Sequence, residues 1–159
     1  MKFLKFLKKI DPAWIILAVL LLIMLILSWV RYLEPRLFRE NFVPMLLARE
    51  TGETVTVEYG DTVTELDYLN SDVCAYLTIA KNRLPAVIPE KASREYMTIR
   101  YQNLTVDVWS NGEDSLFVTV DKGFLPISWK LSGYGNFDKI LTKLYQQTGN
   151  ELFNKGNNT

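Results

Sequence analysis

Histidine is absent from the 159 residues, and cysteine occurs once, at Cys74. Without imidazole the commonest general base, proton shuttle and metal ligand are missing. A zinc site or a Ser-His or Cys-His nucleophile pair therefore has nothing to be built from. A lone thiol closes no internal disulfide. Net charge is missing too: eighteen Lys and Arg balance eighteen Asp and Glu, so no global field draws nucleic acid, which is excluded as a partner. The glycines stand in GD, NG, KG and GYG contexts. None has the strand-to-helix spacing that cradles a phosphate, and no cofactor is expected.

What the chain does have is one long apolar run. From Ala13 to Val30 the only hydroxyl or charged side chain is Ser28. At about 1.5 Å per residue, some 20 residues cross a hydrocarbon layer roughly 30 Å thick, so the run predicts a spanning helix over 12–33. Asp11 and Pro12 supply its start, an N-cap followed by a residue whose missing N–H has no helical partner. Trp14 at one end, with Trp29 and Tyr32 at the other, match the aromatic belts of a bilayer-spanning helix. The run exceeds the roughly 7 to 15 apolar residues of a cleaved signal sequence, and no small-x-small cleavage site follows it. A retained anchor in the lipid bilayer is the expectation. Lys2, Lys5, Lys8 and Lys9 precede the run and outweigh Arg31, Arg36 and Arg39 after it. That bias predicts a cytoplasmic foot at 1–11 and an extracytoplasmic domain beyond the membrane.

Pro35 predicts the end of the spanning helix, and 34–53 reads as a juxtamembrane linker. Leu37, Phe38, Phe42, Met45 and Leu46 there suggest a short helix bent at Pro44 and closed by Gly52. From Thr54 the period switches to two. Val55, Val57 and Tyr59 alternate with polar residues, and Gly60-Asp61 predicts a hairpin into 62–66. Asp67 then predicts the cap of a helix with Leu69, Val73, Leu77, Ala80 and Leu84 on one stripe, stopped by Pro85 and Pro89.

A turn at Gln102-Asn103 would pair Tyr101 with Leu104, Ile99 with Val106 and Met97 with Val108, placing every apolar residue on one face. Leu116, Val118 and Val120 continue that face, followed by Ile127, Trp129 and Leu131, so four antiparallel strands in meander order are predicted. Pro126 predicts an edge position or a bulge for the last. Asn136 caps a terminal helix with Phe137, Ile140, Leu141 and Leu144 on one stripe and Gly149 past its end. The fold class expected for 54–149 is α+β, a small antiparallel sheet covered by two helices, with 150–159 a frayed polar tail.

Candidate chemistry is sparse. Glu58 with Asp61, or Glu113 with Asp114, are close enough in sequence for an acid/base pair, but fall in turns or on solvent faces where pKa values stay ordinary. Cys74 lies beside an apolar stripe and reads as a small buried hydrophobe. Asn103-Leu104-Thr105 and Asn157-Asn158-Thr159 match glycosylation acceptors, relevant only in a eukaryotic secretory pathway. Tyr96, Trp109 and Phe117 alternate out of phase with the core stripe, and Tyr134 sits in the SGYG loop. Two readings compete for these four: a partner-binding surface, since Trp and Tyr give large contact area, or packing beneath the juxtamembrane segment or the first hairpin. The function expected is a membrane-anchored, non-enzymatic binding or regulatory module that meets a protein partner or an envelope ligand. The alternatives are a structural accessory subunit of a membrane complex and an envelope enzyme using carboxylates.

Overall fold

The computed structural model describes residues 11–85, 95–110, 114–123 and 126–154. Contacts divide the chain into two units, Met1–Arg36 and Leu37–Thr159. The described part of the first is helical, within α1 (Pro12–Leu37). Asp11 caps it as expected, its Oδ1 accepting from the Ala13 N–H at 3.0 Å. Residues Pro12–Trp29 have a mean hydropathy of 2.6, and none of them is buried in the protein. Their rise of about 27 Å suits a membrane anchor or a signal sequence.

Pro35 does not end the helix, contrary to the sequence expectation. A proline removes one backbone bond and crowds one carbonyl, and a helix can bend past both. The ladder instead changes at Phe38, three residues beyond Pro35: Phe38–Phe42 form a π-helical turn in which the Val43 N–H reaches back to the Phe38 carbonyl. Two short helices follow, α2 (Val43–Leu46), with Pro44 in its first turn, and α3 (Ala48–Thr51). Gly52 closes α3 at φ +72°, the left-handed conformation that glycine tolerates best.

This segment is core, where the sequence suggested a linker. Phe42, Met45 and Ala48 are completely buried and Asn41 nearly so. The Leu69 N–H donates to the Met45 carbonyl at 3.0 Å, tying the segment to the chain beyond the first hairpin.

Among the described residues seven antiparallel strands follow, in the spatial order β2 (Thr62–Leu66), β1 (Val55–Tyr59), β4 (Tyr96–Tyr101), β5 (Leu104–Ser110), β6 (Ser115–Asp121), β7 (Ile127–Ser132) and β3 (Asn82–Pro85). The hairpin of β1 (Val55–Tyr59) and β2 (Thr62–Leu66) turns at Gly60-Asp61. The meander comprises β4 (Tyr96–Tyr101), β5 (Leu104–Ser110), β6 (Ser115–Asp121) and β7 (Ile127–Ser132). Its register is the one the alternation predicts, Tyr101 opposite Leu104, Ile99 opposite Val106 and Met97 opposite Val108. Gln102 takes φ +52° at the turn, an uncommon conformation for a residue with a Cβ. Its amide donates to both oxygens of Glu53, at 2.7 and 2.6 Å. Strand β1 lies against β4, with Val57 opposite Ile99, and joins the hairpin to the meander.

The predicted helix from Asp67 to Leu84 is shorter than its stripe. Helix α4 spans Ser71–Tyr76, capped by Asn70, whose side chain accepts from the Asp72 N–H at 2.8 Å. Leu69, Val73 and Leu77 are buried as expected, but Leu84 is 61% exposed, because Asn82–Pro85 form β3 and pair with β7. An unpaired sheet edge offers a row of backbone partners, and the β-branched Thr78 and Ile79 weaken the helix just before it. Strand β7 is consequently interior, correcting the expectation drawn from Pro126. That proline precedes the first residue of β7, where its missing N–H removes no ladder bond.

Helix α5 (Phe137–Thr148) is the one the sequence punctuates best. The Lys139 N–H donates to Asn136 Oδ1 at 2.9 Å, and Gly149 closes the helix at φ +66°. Its four stripe residues are buried, each contributing about 1.5–3 kcal/mol. The chain beyond is ordered through Asn154, correcting the frayed tail for 150–154. A 3-10 turn, Glu151–Phe153, buries Phe153 with its ring 6.1 Å from Tyr59. Residues 155–159 lie outside the described residues.

Two outcomes follow for folding. A fragment covering 37–154 should melt cooperatively by circular dichroism, whereas 54–149 should show no cooperative transition. The shorter fragment loses Phe42, Met45 and Phe153, large buried side chains worth about 2–5 kcal/mol each against a total stability of about 5–15 kcal/mol. Equal melting temperatures would place these residues outside the core. Asn136→Ala should lower unfolding free energy by about 1 kcal/mol in a urea titration.

Candidate functional site

Period-two alternation sends the apolar residues of the strands to the face covered by α4 and α5, and a second set to the other face. On that second face Tyr96 stands opposite Trp109, Trp109 opposite Phe117, and Phe117 opposite Lys130. The Tyr96 and Trp109 ring centroids are 6.2 Å apart at 51°, those of Trp109 and Phe117 6.1 Å apart at 29°. The tilted and offset arrangements are those aromatic quadrupoles favour.

The three residues do form one row, but not three equal contacts. Trp109 is 1% exposed and is the floor of the row. Tyr96 and Phe117 are half-buried beside it. The Trp109 indole Nε1 is buried with no acceptor among the described residues, although a buried indole N–H usually finds one.

Polar groups extend the row toward β1. The Tyr96 hydroxyl donates to Asp107 Oδ1 at 2.6 Å, and Thr98 Oγ1 lies 2.8 Å from the same oxygen and 2.7 Å from the Tyr96 hydroxyl. Arg100 forks onto Glu58 through Nε at 2.9 Å and Nη2 at 3.1 Å. The guanidinium's hydrogen bonds hold the Glu58 carboxyl below the usual range, and the carboxylate in turn raises Arg100. On the other side, Thr119 and Ser128 share a hydroxyl bond of 3.0 Å. Thr98, Asp107 and the Glu58–Arg100 fork were not singled out from the sequence. Their only signal was their out-of-phase position, which most polar strand residues share.

Tyr134 does not join this row. It is 47% exposed and its ring lies 5.5 Å from Tyr76 on α4. Gly135 makes that approach possible: a Cβ there would come within 2.7 Å of the Tyr76 Cβ. Trp14 and Trp29 are 66% and 65% exposed on α1, while Lys2, Lys5, Lys8, Lys9 and the Tyr32 side chain lie outside the described part of the chain.

Glu58 is committed to Arg100 and does not face Asp61 as an acid/base partner. Glu113 lies outside the described residues, and Asp114 is exposed. Among the described residues, no group of three or more acidic or thiol side chains could hold a metal ion. Cys74 is fully buried, and burial pushes its thiol from an ordinary 9.0 up to about 12.

The Cys74 thiol should therefore resist iodoacetamide at pH 8 in the folded chain and react once urea unfolds it. Between about pH 9 and 12 the unfolded thiol ionises while the folded one keeps its proton, so this residue's contribution to stability falls as pH rises. Cys74→Ala should flatten that part of the stability profile. Compared with known proteins, the chain matches no family model, and it is similar to no curated protein and no solved structure.

Proposed function

We propose that this chain is a membrane-anchored binding module without catalytic activity, its domain extracytoplasmic, which meets a protein partner or an envelope ligand through the face of the sheet opposite α4 and α5. The observation that carries the reading is the Tyr96–Trp109–Phe117 row. Three aromatics are aligned across adjacent strands at centroid distances of 6.1–6.2 Å, beside a hydrogen-bonded tyrosine, threonine and carboxylate. Such a surface offers ring faces for stacking and acceptors for orientation. Trp109 supports the half-buried Tyr96 and Phe117 rings that make contact. An α1 with no buried residue from Pro12 to Trp29 favours retention in the bilayer. The lysine-rich foot favours a cytoplasmic N-terminus.

Because Cys74 is buried, it provides a silent background for a topology measurement. Thr159→Cys should react with a membrane-impermeant maleimide in intact cells; labelling only after lysis would reverse the orientation. A photo-crosslinking amino acid at position 117 should capture a discrete species that Tyr96→Ala weakens about tenfold, a loss of about 1.4 kcal/mol. A position-117 probe that captures nothing, with Tyr96→Ala lacking any effect, would sink the surface assignment.

A further inference from the structure

The sheet ends on one side at β2, and no described strand pairs with its outer edge. The two-residue turn makes Tyr59 and Thr62 a hydrogen-bonded pair, after which bonded and non-bonded pairs alternate. Thr62, Thr64 and Leu66 therefore direct their backbone groups to β1. Val63 and Glu65 direct theirs outward. Val63 is 61% exposed, and this edge carries none of the lysines or prolines that commonly blunt such a strand. The opposite edge, β3, ends on Pro85.

A groove of about 390 Å³ lies beside β2. Thr64, Glu65, Leu66, Asp67 and Tyr68 form one wall; Gln147, Thr148 and Asn150 at the end of α5 form the other. The far wall is braced: the Gln147 amide donates to the Tyr68 carbonyl at 2.5 Å and accepts from the Asn70 N–H at 3.1 Å, and Asn150 Nδ2 donates to Thr64 Oγ1 at 3.3 Å. An open edge strand facing the end of a helix is the geometry in which an extended peptide adds as a further strand.

Charge selects the occupant. From Thr51 to Ala80 the chain holds Glu53, Glu58, Asp61, Glu65, Asp67 and Asp72 and no lysine or arginine. Glu58 is paired with Arg100, Asp72 with Lys143 at 2.8 Å, and Glu53 with Gln102. Asp61, Glu65 and Asp67, which lie on or flank β2, are exposed and make no ion pair among the described residues. A second copy paired antiparallel about Thr64 would oppose Asp61 to Asp67, so self-pairing sets like charges against each other at both ends.

We propose that the outer edge of β2 and its groove bind an extended peptide carrying lysine or arginine, added antiparallel as an eighth strand. The inference rests on reading the domain as a binding module, but on none of Tyr96, Trp109 or Phe117.

The test uses the full chain in nanodiscs of zwitterionic phosphatidylcholine and a fluorescein-labelled, capped Lys-Val-Lys-Val-Lys-Val peptide, followed by anisotropy. Saturable binding is expected, with the Val63 and Glu65 amides newly protected from exchange. The Glu-Val counterpart, and the lysine peptide N-methylated on alternate amides, should bind at least about tenfold more weakly. Val63→Pro removes an outward N–H that the fold does not use, so it should abolish binding with the circular dichroism melt retained. Glu65→Lys with Asp67→Lys should do likewise, and Tyr96→Ala with Phe117→Ala should leave binding unchanged.

Equal binding of the N-methylated peptide would reduce the effect to charge attraction and overturn the added strand. Absence of binding would overturn the edge site, while a species captured at position 117 would keep the binding-module reading standing. A dimer in the absence of peptide, lost in Val63→Pro, would assign the edge to a second copy instead.

Discussion

A single row of cross-strand pairs organises the domain. Val57 faces Ile99, Ile99 faces Val106, and Val106 faces Val120 across β1, β4, β5 and β6, and none of the four is more than 4% exposed. A slip of one residue in any strand would turn its apolar side chains to the other face, so burial of this row fixes the register of all four strands. The helices take their places from it. Tyr59 lies on the same face and meets Phe137 of α5 at 5.9 Å and Phe153 at 6.1 Å.

Fixing one face also determines the other. Once the core residues point toward the helices, Tyr96, Trp109 and Phe117 must share the opposite surface, because adjacent strands keep paired residues on one side. Their closeness follows from register, without any sequence proximity. Burying the Trp109 ring leaves its N–H without an acceptor among the described residues, a cost of about 1–3 kcal/mol for an unsatisfied polar group. The contact area of an indole between two rings offsets such a penalty.

The segment from Leu37 to Thr51 performs a different task. Its π-helical turn and two short helices bring Phe42, Met45 and Ala48 into the core, and the bond from Leu69 to the Met45 carbonyl attaches it to the loop after β2. The folded unit therefore begins at Leu37, the residue that also ends α1. Apolar residues at helical spacing, interrupted by Pro44, read in sequence as a short bent helix within a linker. Only the π turn and the separate short helices bring them to a common side.

The sequence alone determined the apolar helix with its Asp11 cap, the hairpin at Gly60-Asp61, the meander with its register, and α5 with both its caps. Each rests on interactions within a few residues or between neighbouring strands, where periodicity and turn chemistry act directly. Tertiary structure decided the rest. Leu84 fits a helical stripe by spacing, yet Asn82–Pro85 became a strand because β7 had an unpaired edge beside it, a partner more than forty residues away in the chain. Trp109 became a buried floor for the same kind of reason: what lies over an outward-pointing side chain depends on packing between distant segments, and local pattern carries no record of it.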